Sequence, residues 1–259
     1  MFIGIDVGAS STKAVIIDRD KAILGHSVVN SGADFEAAAE NALTLASAGV
    51  NGYDINRCQV MSTGYGRRNV PFAHGNKTEI SCHITGSYFY YPRAHTLVDI
   101  GGQDSKIIKA DDSGRRTGFK MNRKCAAGTG AFLEEIAYRL KIDIGKLNGL
   151  AEQAKKDVEI GSYCTVFTAT EILSKIRENI AVEDIVKGIF SSVITRALEM
   201  DTFEGPIVMS GGVVAHNPFI VKMFEEKIEQ KIFVPPLPQL TGAFGAALYA
   251  NIEKGDSYA

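Results

Sequence analysis

Two stretches of the chain share one pattern, and that repeat narrows the folds open to it. Phe2 to Val7 is an apolar run that leads into Asp6-Val7-Gly8-Ala9-Ser10-Ser11-Thr12-Lys13, and Ala14-Val15-Ile16-Ile17 follows as a second apolar run. His95-Thr96-Leu97-Val98-Asp99-Ile100-Gly101-Gly102-Gln103-Asp104-Ser105-Lys106-Ile107-Ile108 does the same. Asp6 aligns with Asp99, Gly8 with Gly101 and Lys13 with Lys106, each at an offset of 93 (99 − 6 = 93). Short apolar runs on both sides of an Asp-x-Gly turn predict strand, turn, strand. Their recurrence predicts two similar α/β halves that face one another. The boundary falls near Tyr91-Pro92-Arg93, giving an N-terminal half over 1–93 and a C-terminal half over 94–259, with the last helix packing back toward the first half.

Because the glycine turn joins two strands and opens no helix, it is neither a Walker loop nor a Rossmann turn. Val28 to Gly32 reads as a third strand. Asp34 to Ala48 reads as a helix with Phe35, Ala38, Ala42, Leu45 and Ala46 on one stripe. Gln59 to Thr63 is a strand ending in a glycine loop, with Cys58 on it, and Glu79 to Tyr90 is a helix carrying Cys82 and His83. Cys58, Cys82 and His83 read as packing residues. Asp111-Asp112-Ser113-Gly114 is a turn, with Arg115-Arg116 at a solvated edge. Val182 to Met200 is a long amphipathic helix. Pro206 to Ser210 is a strand that runs into Gly211-Gly212, with a helix start at Asn217-Pro218. Ile232-Phe233-Val234 is a short strand stopped by prolines. Leu240 to Tyr249 is a Gly- and Ala-rich helix that lets another backbone or a ligand approach closely.

A formal charge of −2 over 259 residues makes no electrostatic case for nucleic acid or a membrane surface. No apolar run nears the ~20 residues of a membrane helix. A strand beginning at Phe2 leaves no signal peptide. Four scattered cysteines fit a reducing cytoplasm better than a disulfide framework.

Cys125 and Cys164 each precede a helical apolar pattern: Phe132, Leu133, Ile136, Ala137 and Leu140 after the first, Val166, Phe167, Ile172, Leu173 and Ile176 after the second. A helix N-terminus favours a thiolate or an anionic iron–sulfur cluster. A cubane cluster takes four thiolates, and a two-fold dimer would supply the second pair. Equally, a cysteine of this kind is commonly a small buried apolar residue. Their separation of 39 residues (164 − 125) matches no zinc pattern.

Three glycine turns, after Asp6, Asp99 and Ser210, offer backbone N–H groups to phosphate oxygens. Asp6 and Asp99 are candidates to hold Mg²⁺ mostly through water. Ser11, Thr12 and Lys13 can reach phosphates, Gln103 and Asp104 can orient an attacking water, and Ser210-Gly211-Gly212 can pass under a nucleoside.

These motifs resemble the two phosphate motifs and the adenosine motif of the actin/hsp70/sugar-kinase superfamily. Within it, Lys124-Cys125-Ala126-Ala127-Gly128-Thr129-Gly130, Cys164-Thr165-Val166-Phe167, Thr63-Gly64-Tyr65-Gly66-Arg67 and Ser81-Cys82-His83 resemble the ATP-dependent activators of 2-hydroxyacyl-CoA dehydratases, together with the ATPase subunits of benzoyl-CoA reductases. The resemblance runs from Phe2 to about Ala250. It implies two ribonuclease-H-like halves around a cleft for ATP or ADP and Mg²⁺. It implies a homodimer with one oxygen-sensitive [4Fe–4S] cluster held by Cys125 and Cys164 of each copy. Gly8, Ala9, Ser10, Ser11, Thr12, Lys13, Gly101, Gly102, Gly128, Gly130, Gly211, Gly212 and Gln239 would form the cofactor-binding set. Asp6, Asp99, Gln103 and Asp104 would carry the hydrolysis. It further implies one-electron transfer to an acyl-CoA dehydratase or a related iron–sulfur reductase, with a ferredoxin or flavodoxin as donor.

The sequence departs from that family at three places beside the cysteines. Arg123 stands where an acid is usual, Ala131 where Arg is usual and Ala169 where Glu is usual, all expected to face the partner. Two other readings share the fold. A small-molecule kinase would need an aspartate base in an inserted substrate pocket, which the chain lacks. A non-redox nucleotide switch would be colourless and indifferent to Cys125→Ser.

Overall fold

The computed structural model describes residues 1–122, 125–161 and 165–256. In chain order the elements are β1 (Phe2–Val7), β2 (Ser11–Ile17), β3 (Ile23–Asn30), α1 (Phe35–Ser47), β4 (Gln59–Thr63), β5 (Gly75–Asn76), α2 (Glu79–Tyr90), β6 (His95–Ile100), β7 (Ser105–Ala110), β8 (Arg116–Asn122), α3 (Gly130–Leu140), α4 (Leu147–Glu152), α5 (Thr165–Arg177), α6 (Val182–Leu198), β9 (Ile207–Ser210), α7 (Gly212–His216), α8 (Pro218–Ile228), β10 (Ile232–Phe233) and α9 (Thr241–Asp256). The strands described form two five-stranded sheets, ordered β3-β2-β1-β4-β5 and β8-β7-β6-β9-β10. Matching β1–β5 to β6–β10 makes the two orders identical, so the repeat at Asp6 and Asp99 extends to whole sheets.

The chain divides into two units. One holds residues 1–94, 110–117 and 240 onward; the other holds 95–109 and 118–239. In the first, β1 is buried at all six positions because both of its faces are covered. Ile3, Ile5 and Val7 pack with Ala39, Ala42, Leu43 and Ala46 of α1. Each such buried aliphatic side chain contributes about 1.5–3 kcal/mol. The two-residue period turns Phe2, Gly4 and Asp6 to the opposite face. There α9 lies so close that a β-carbon on Gly4 would overlap the Ala243 carbonyl oxygen. The helix caps follow the sequence: Asp34 accepts from Ala37 N–H at 3.0 Å, and Thr78 from Ser81 N–H at 3.2 Å.

α2 and α9 cross by a reciprocal contact. A β-carbon on Gly86 would overlap the Thr241 carbonyl oxygen, and one on Gly245 would overlap that of Cys82. Thr241 follows Cys82, and Gly245 follows Gly86, by the same 159 residues (241 − 82, 245 − 86). The two helices are therefore equivalent elements of the repeat, packed on each other about a local pseudo-two-fold.

In the second unit, Val98, Ile100 and Ile107 pack against Phe132 and Ile136 of α3 and against Ile185, Val186, Ile189, Phe190, Val193 and Ile194 of α6. That α6 spacing is a helical stripe. Asp184 in its first turn accepts from the N–H groups of Lys155 and Lys156 at 2.7 and 2.9 Å, which hold its carboxyl below the usual range.

Several expectations are corrected. β3 starts at Ile23, ahead of Val28. Leu45 of α1 is exposed, and Ala39 and Leu43 take the buried stripe. Cys58 precedes β4 instead of lying on it. β8 follows the Asp111–Gly114 turn where only a solvated edge was expected. It is the edge strand of its sheet, with Arg116, Thr117, Phe119 and Lys120 exposed. No described helix is long and apolar enough to cross a membrane.

Candidate functional site

In the first unit, register sets Asp6 opposite Lys13 on β2 and beside Thr63 on β4. Lys13 Nζ lies 3.2 Å from Asp6 Oδ2. The turn between them is tied by Gly8 N–H, which donates to the Ser11 carbonyl at 3.1 Å. Thr12 is fully buried. Its hydroxyl pairs with Ser31 Oγ at 2.9 Å, and Ser31 Oγ donates to the Gly8 carbonyl at 2.6 Å. Thr12 thus shapes the turn from beneath, while Ala9 is exposed, Ser10 and Ser11 are partly exposed, and the Lys13 side chain turns in toward Asp6. Asp6 Oδ1 is buried and has no hydrogen-bond donor among the described residues. A carboxylate oxygen left so is unfavourable, and a water or a hydrated cation at this edge would relieve it. β4 closes on Gly64, where φ is +88°; a β-carbon there would overlap Asp6 Oδ1.

Asp99 has the same surroundings. Ser210 of β9 lies beside it, and Lys106 Nζ is 3.2 Å from its Oδ2. Gly101 N–H donates to the Asp104 carbonyl at 2.9 Å, repeating the Gly8 turn. β9 closes on Gly211, φ +104°, where a β-carbon would overlap the Ile100 carbonyl oxygen. Thr63-Gly64 is the structural equivalent of Ser210-Gly211, a correspondence that the three candidate phosphate turns did not include.

The two copies differ chemically. Asp104 stands where Ser11 does, and its carboxylate takes Lys106 Nζ at 2.6 Å. Ser210 Oγ donates to Asp99 Oδ1 at 2.7 Å. Lys106 is therefore 2% exposed between two carboxylates, while Lys13 is 14% exposed beside one. Asp99 and Asp104 are engaged; Gln103 is exposed at the tip of the turn. Gly211 N–H donates to the Pro238 carbonyl at 2.9 Å. This brings Gln239 alongside Gly212, whose β-carbon would lie 3.4 Å from Gln239 Nε2.

Cys125 is partly exposed and lies in a loop ahead of α3. Gly128, φ +78°, turns the chain, Thr129 is the extended cap, and the helix starts at Gly130. Two N–H groups at the mouth of that helix are already taken. Gly130 N–H donates to the Gly101 carbonyl at 2.9 Å, and Ala131 N–H to the Gly102 carbonyl at 2.8 Å. Cys125 therefore lies five residues ahead of the helix start, and these two donors serve the second turn. Ser105 Oγ adds a bond to the Gly128 carbonyl at 2.9 Å, and Asn122 Nδ2 one to the Cys125 carbonyl at 3.2 Å. Gly101, Gly102, Gly128, Gly130 and the Cys125 loop thus form one hydrogen-bonded piece.

Cys164 and Arg123 lie outside the described residues; α5 begins at Thr165. Of the two alanines expected to face a partner, Ala169 is buried in the chain itself, which corrects that expectation, whereas Ala131 is partly exposed. Ala169 is 6% exposed; the Ala131 main-chain N–H donates to the Gly102 carbonyl. The other two cysteines are poor ligands. Cys58 donates to the Asp54 carbonyl at 3.2 Å. Burial pushes the Cys82 thiol up to about 12. Among the described residues, no three His, Cys, Asp or Glu side chains gather as a metal site.

Two sheets of one strand order, each with an Asp–Gly turn and a glycine closing the neighbouring parallel strand, define the α/β fold of actin, hsp70 and the sugar kinases. The chain belongs to the BadF/BadG/BcrA/BcrD ATPase family, whose profile matches residues 3–250. It is 42% identical over 253 residues to the activator of lactoyl-CoA dehydratase of Anaerotignum propionicum, covering 96% of each chain. It is 40% identical over 258 residues to the 2-hydroxyisocaproyl-CoA dehydratase activator of Clostridioides difficile, covering 98% of this chain and 96% of the relative. The solved structure of the Clostridium difficile activator with bound ADPNP superposes with a TM-score of 0.92 at 39% identity, covering 100% of this chain and 97% of that one.

Proposed function

We propose that the chain uses ATP hydrolysis to drive one-electron transfer to an iron–sulfur enzyme acting on 2-hydroxyacyl-CoA substrates, working as a homodimer around one [4Fe–4S] cluster. The observation that carries the reading is the link from the second turn to Cys125. The carbonyls of Gly101 and Gly102 hold the first two N–H groups of α3, and Ser105 holds the Gly128 carbonyl. A shift of the turn on nucleotide binding or hydrolysis therefore displaces the Cys125 loop. The relatives' names, as activators of acyl-CoA dehydratases, support the class of partner.

In this reading, Cys125 and Cys164 of each copy hold the cluster, making four thiolates in all. Partial exposure of Cys125, against the burial of Cys58 and Cys82, fits that division. When bound, such a cluster supplies one-electron storage and release. Backbone N–H groups of the Gly8 and Gly101 turns, with Lys13, take phosphate oxygens. Gly211, Gly212 and Gln239 take the nucleoside. Asp6 suits the water shell of Mg²⁺ better than Asp99, whose oxygens are already bonded. Gln103 orients the attacking water. A reduced ferredoxin or flavodoxin restores the electron in the cytoplasm.

The test is purification without oxygen. The expected product is a coloured dimer with about two iron and two sulfide per chain, from which Cys125→Ser loses iron while still binding ADP. A colourless, iron-free protein that hydrolyses ATP would leave only the nucleotide switch.

A further inference from the structure

The crossing of α2 and α9 is uneven at one place. His83 and Gly242 are related by the offset that relates Cys82 to Thr241 and Gly86 to Gly245 (242 − 83 = 159), yet one carries an imidazole and the other no side chain. His83 is buried, with Nε2 3.8 Å from Glu79 Oε1 one turn earlier. A β-carbon on Gly242 would lie 3.0 Å from His83 Nε2 and 3.3 Å from Asp6 Oδ2. These two polar atoms border one notch, kept open by the missing side chain. Lys13 Nζ approaches the same Asp6 oxygen at 3.2 Å. An apolar residue would fill the helix crossing without the desolvation that a buried imidazole brings. Its placement against Asp6 therefore asks for a chemical reason.

We propose that His83 is a positioning residue for Asp6 in ATP hydrolysis. Across the Gly242 notch it flanks Oδ2, the oxygen that Lys13 Nζ also approaches, and so limits the turning of the carboxylate and holds Oδ1 beside Gly64. Outer-shell partners that orient a metal-binding carboxylate typically change activity 10- to 100-fold when removed, which sets the scale for His83 if Asp6 serves the Mg²⁺ shell. This inference rests on the ATPase reading and on the part Asp6 plays in it.

The experiment is steady-state ATP hydrolysis by the full chain. His83→Ala should lower kcat roughly 10- to 100-fold and leave the KM for ATP within about twofold, because ground-state nucleotide contacts are untouched. His83→Gln, which returns a polar nitrogen near Nε2, should recover most of the loss. Gly242→Ala puts a methyl group into the notch and should lower kcat with His83 still present. A wild-type protein without ATPase activity would sink the family reading itself. A wild type that hydrolyses ATP, with folded variants of unchanged kcat, overturns only this inference. So does a loss confined to KM, or an equal loss in His83→Ala and His83→Gln, since either marks plain packing. Where His83→Ala fails to fold, Gly242→Ala decides, and an unchanged kcat there overturns the assignment.

Discussion

Replacing Lys106 by Met strains the second turn most directly. The ammonium lies 2.6 Å from Asp104 Oδ1 and 3.2 Å from Asp99 Oδ2. Removing one member of a buried ion pair costs about 3–5 kcal/mol, because the remaining charge stays in low dielectric. Two features lower that figure here. Asp104 is 24% exposed and can turn to water, and Asp99 keeps the Ser210 hydroxyl at 2.7 Å. The loss for Lys106→Met is therefore about 3 kcal/mol. Lys13→Met is the internal control, with the same 3.2 Å contact but one carboxylate and a more exposed ammonium. It falls between the surface and buried cases, at about 1–2 kcal/mol. Urea unfolding followed by far-ultraviolet circular dichroism gives both values through the midpoint and slope. Against the usual 5–15 kcal/mol, both variants remain folded. Asp99→Asn combined with Lys106→Met should lose less than the two single losses together, since no charge is left unpaired inside. The reasoning is refuted if Lys106→Met is no more destabilised than Lys13→Met, or if the double variant is simply additive.

Other outcomes follow from single contacts. Gly245→Ala should lower the melting temperature although helix propensity alone favours Ala by about 1 kcal/mol, because the new methyl meets the Cys82 carbonyl and overpacking costs about 1–3 kcal/mol. A rise would contradict the glycine-to-carbonyl crossing. In the iron-free protein at pH 8, iodoacetamide should label Cys125 and spare Cys58 and Cys82 until urea is added; at a value of about 12, only about one Cys82 in ten thousand is a thiolate. Peptide mass spectrometry reads this, and early labelling of Cys82 would count against its burial. The Asp184 carboxyl is held low chiefly by Lys156 N–H and then by Lys155 N–H, so its contribution is present above the ordinary value of about 3.9 and fades as pH falls through the lower folded value. Asp184→Asn should therefore show a shallower loss of melting temperature between about pH 4 and 2. The limb should not vanish, since Asp111, Asp201 and Glu225 shift the same way.

The first half of the repeat was legible because mostly buried apolar strands flank both Asp-x-Gly turns. The equivalence of Thr63-Gly64 and Ser210-Gly211 was hidden. One helix, α1, separates β3 from β4, whereas α3 to α6 separate β8 from β9, so the offset grows from 93 to 147 (210 − 63). β8 escaped notice because an edge strand has few buried positions, and Gly118 interrupts its β-formers. The distance from Cys125 to the start of α3 was hidden because the small residues Ala126 to Gly128 carry no periodic signal, and Gly128 adopts φ +78° and turns the chain. The bonds of Gly130 and Ala131 to the second turn join residues about 30 apart in sequence, and no local pattern announces them. The engagement of Asp104 by Lys106 was likewise invisible, since the same motif in the first copy has Ser11 there.

The central claim is that the state of the Gly101 turn reaches Cys125 through the first turn of α3. The rate at which iodoacetamide alkylates Cys125 in the iron-free protein measures this, with and without a saturating non-hydrolysable ATP analogue. The account predicts a severalfold change in that rate, reduced when Ser105→Ala removes the bond to Gly128. Equal rates with the analogue demonstrably bound would contradict it.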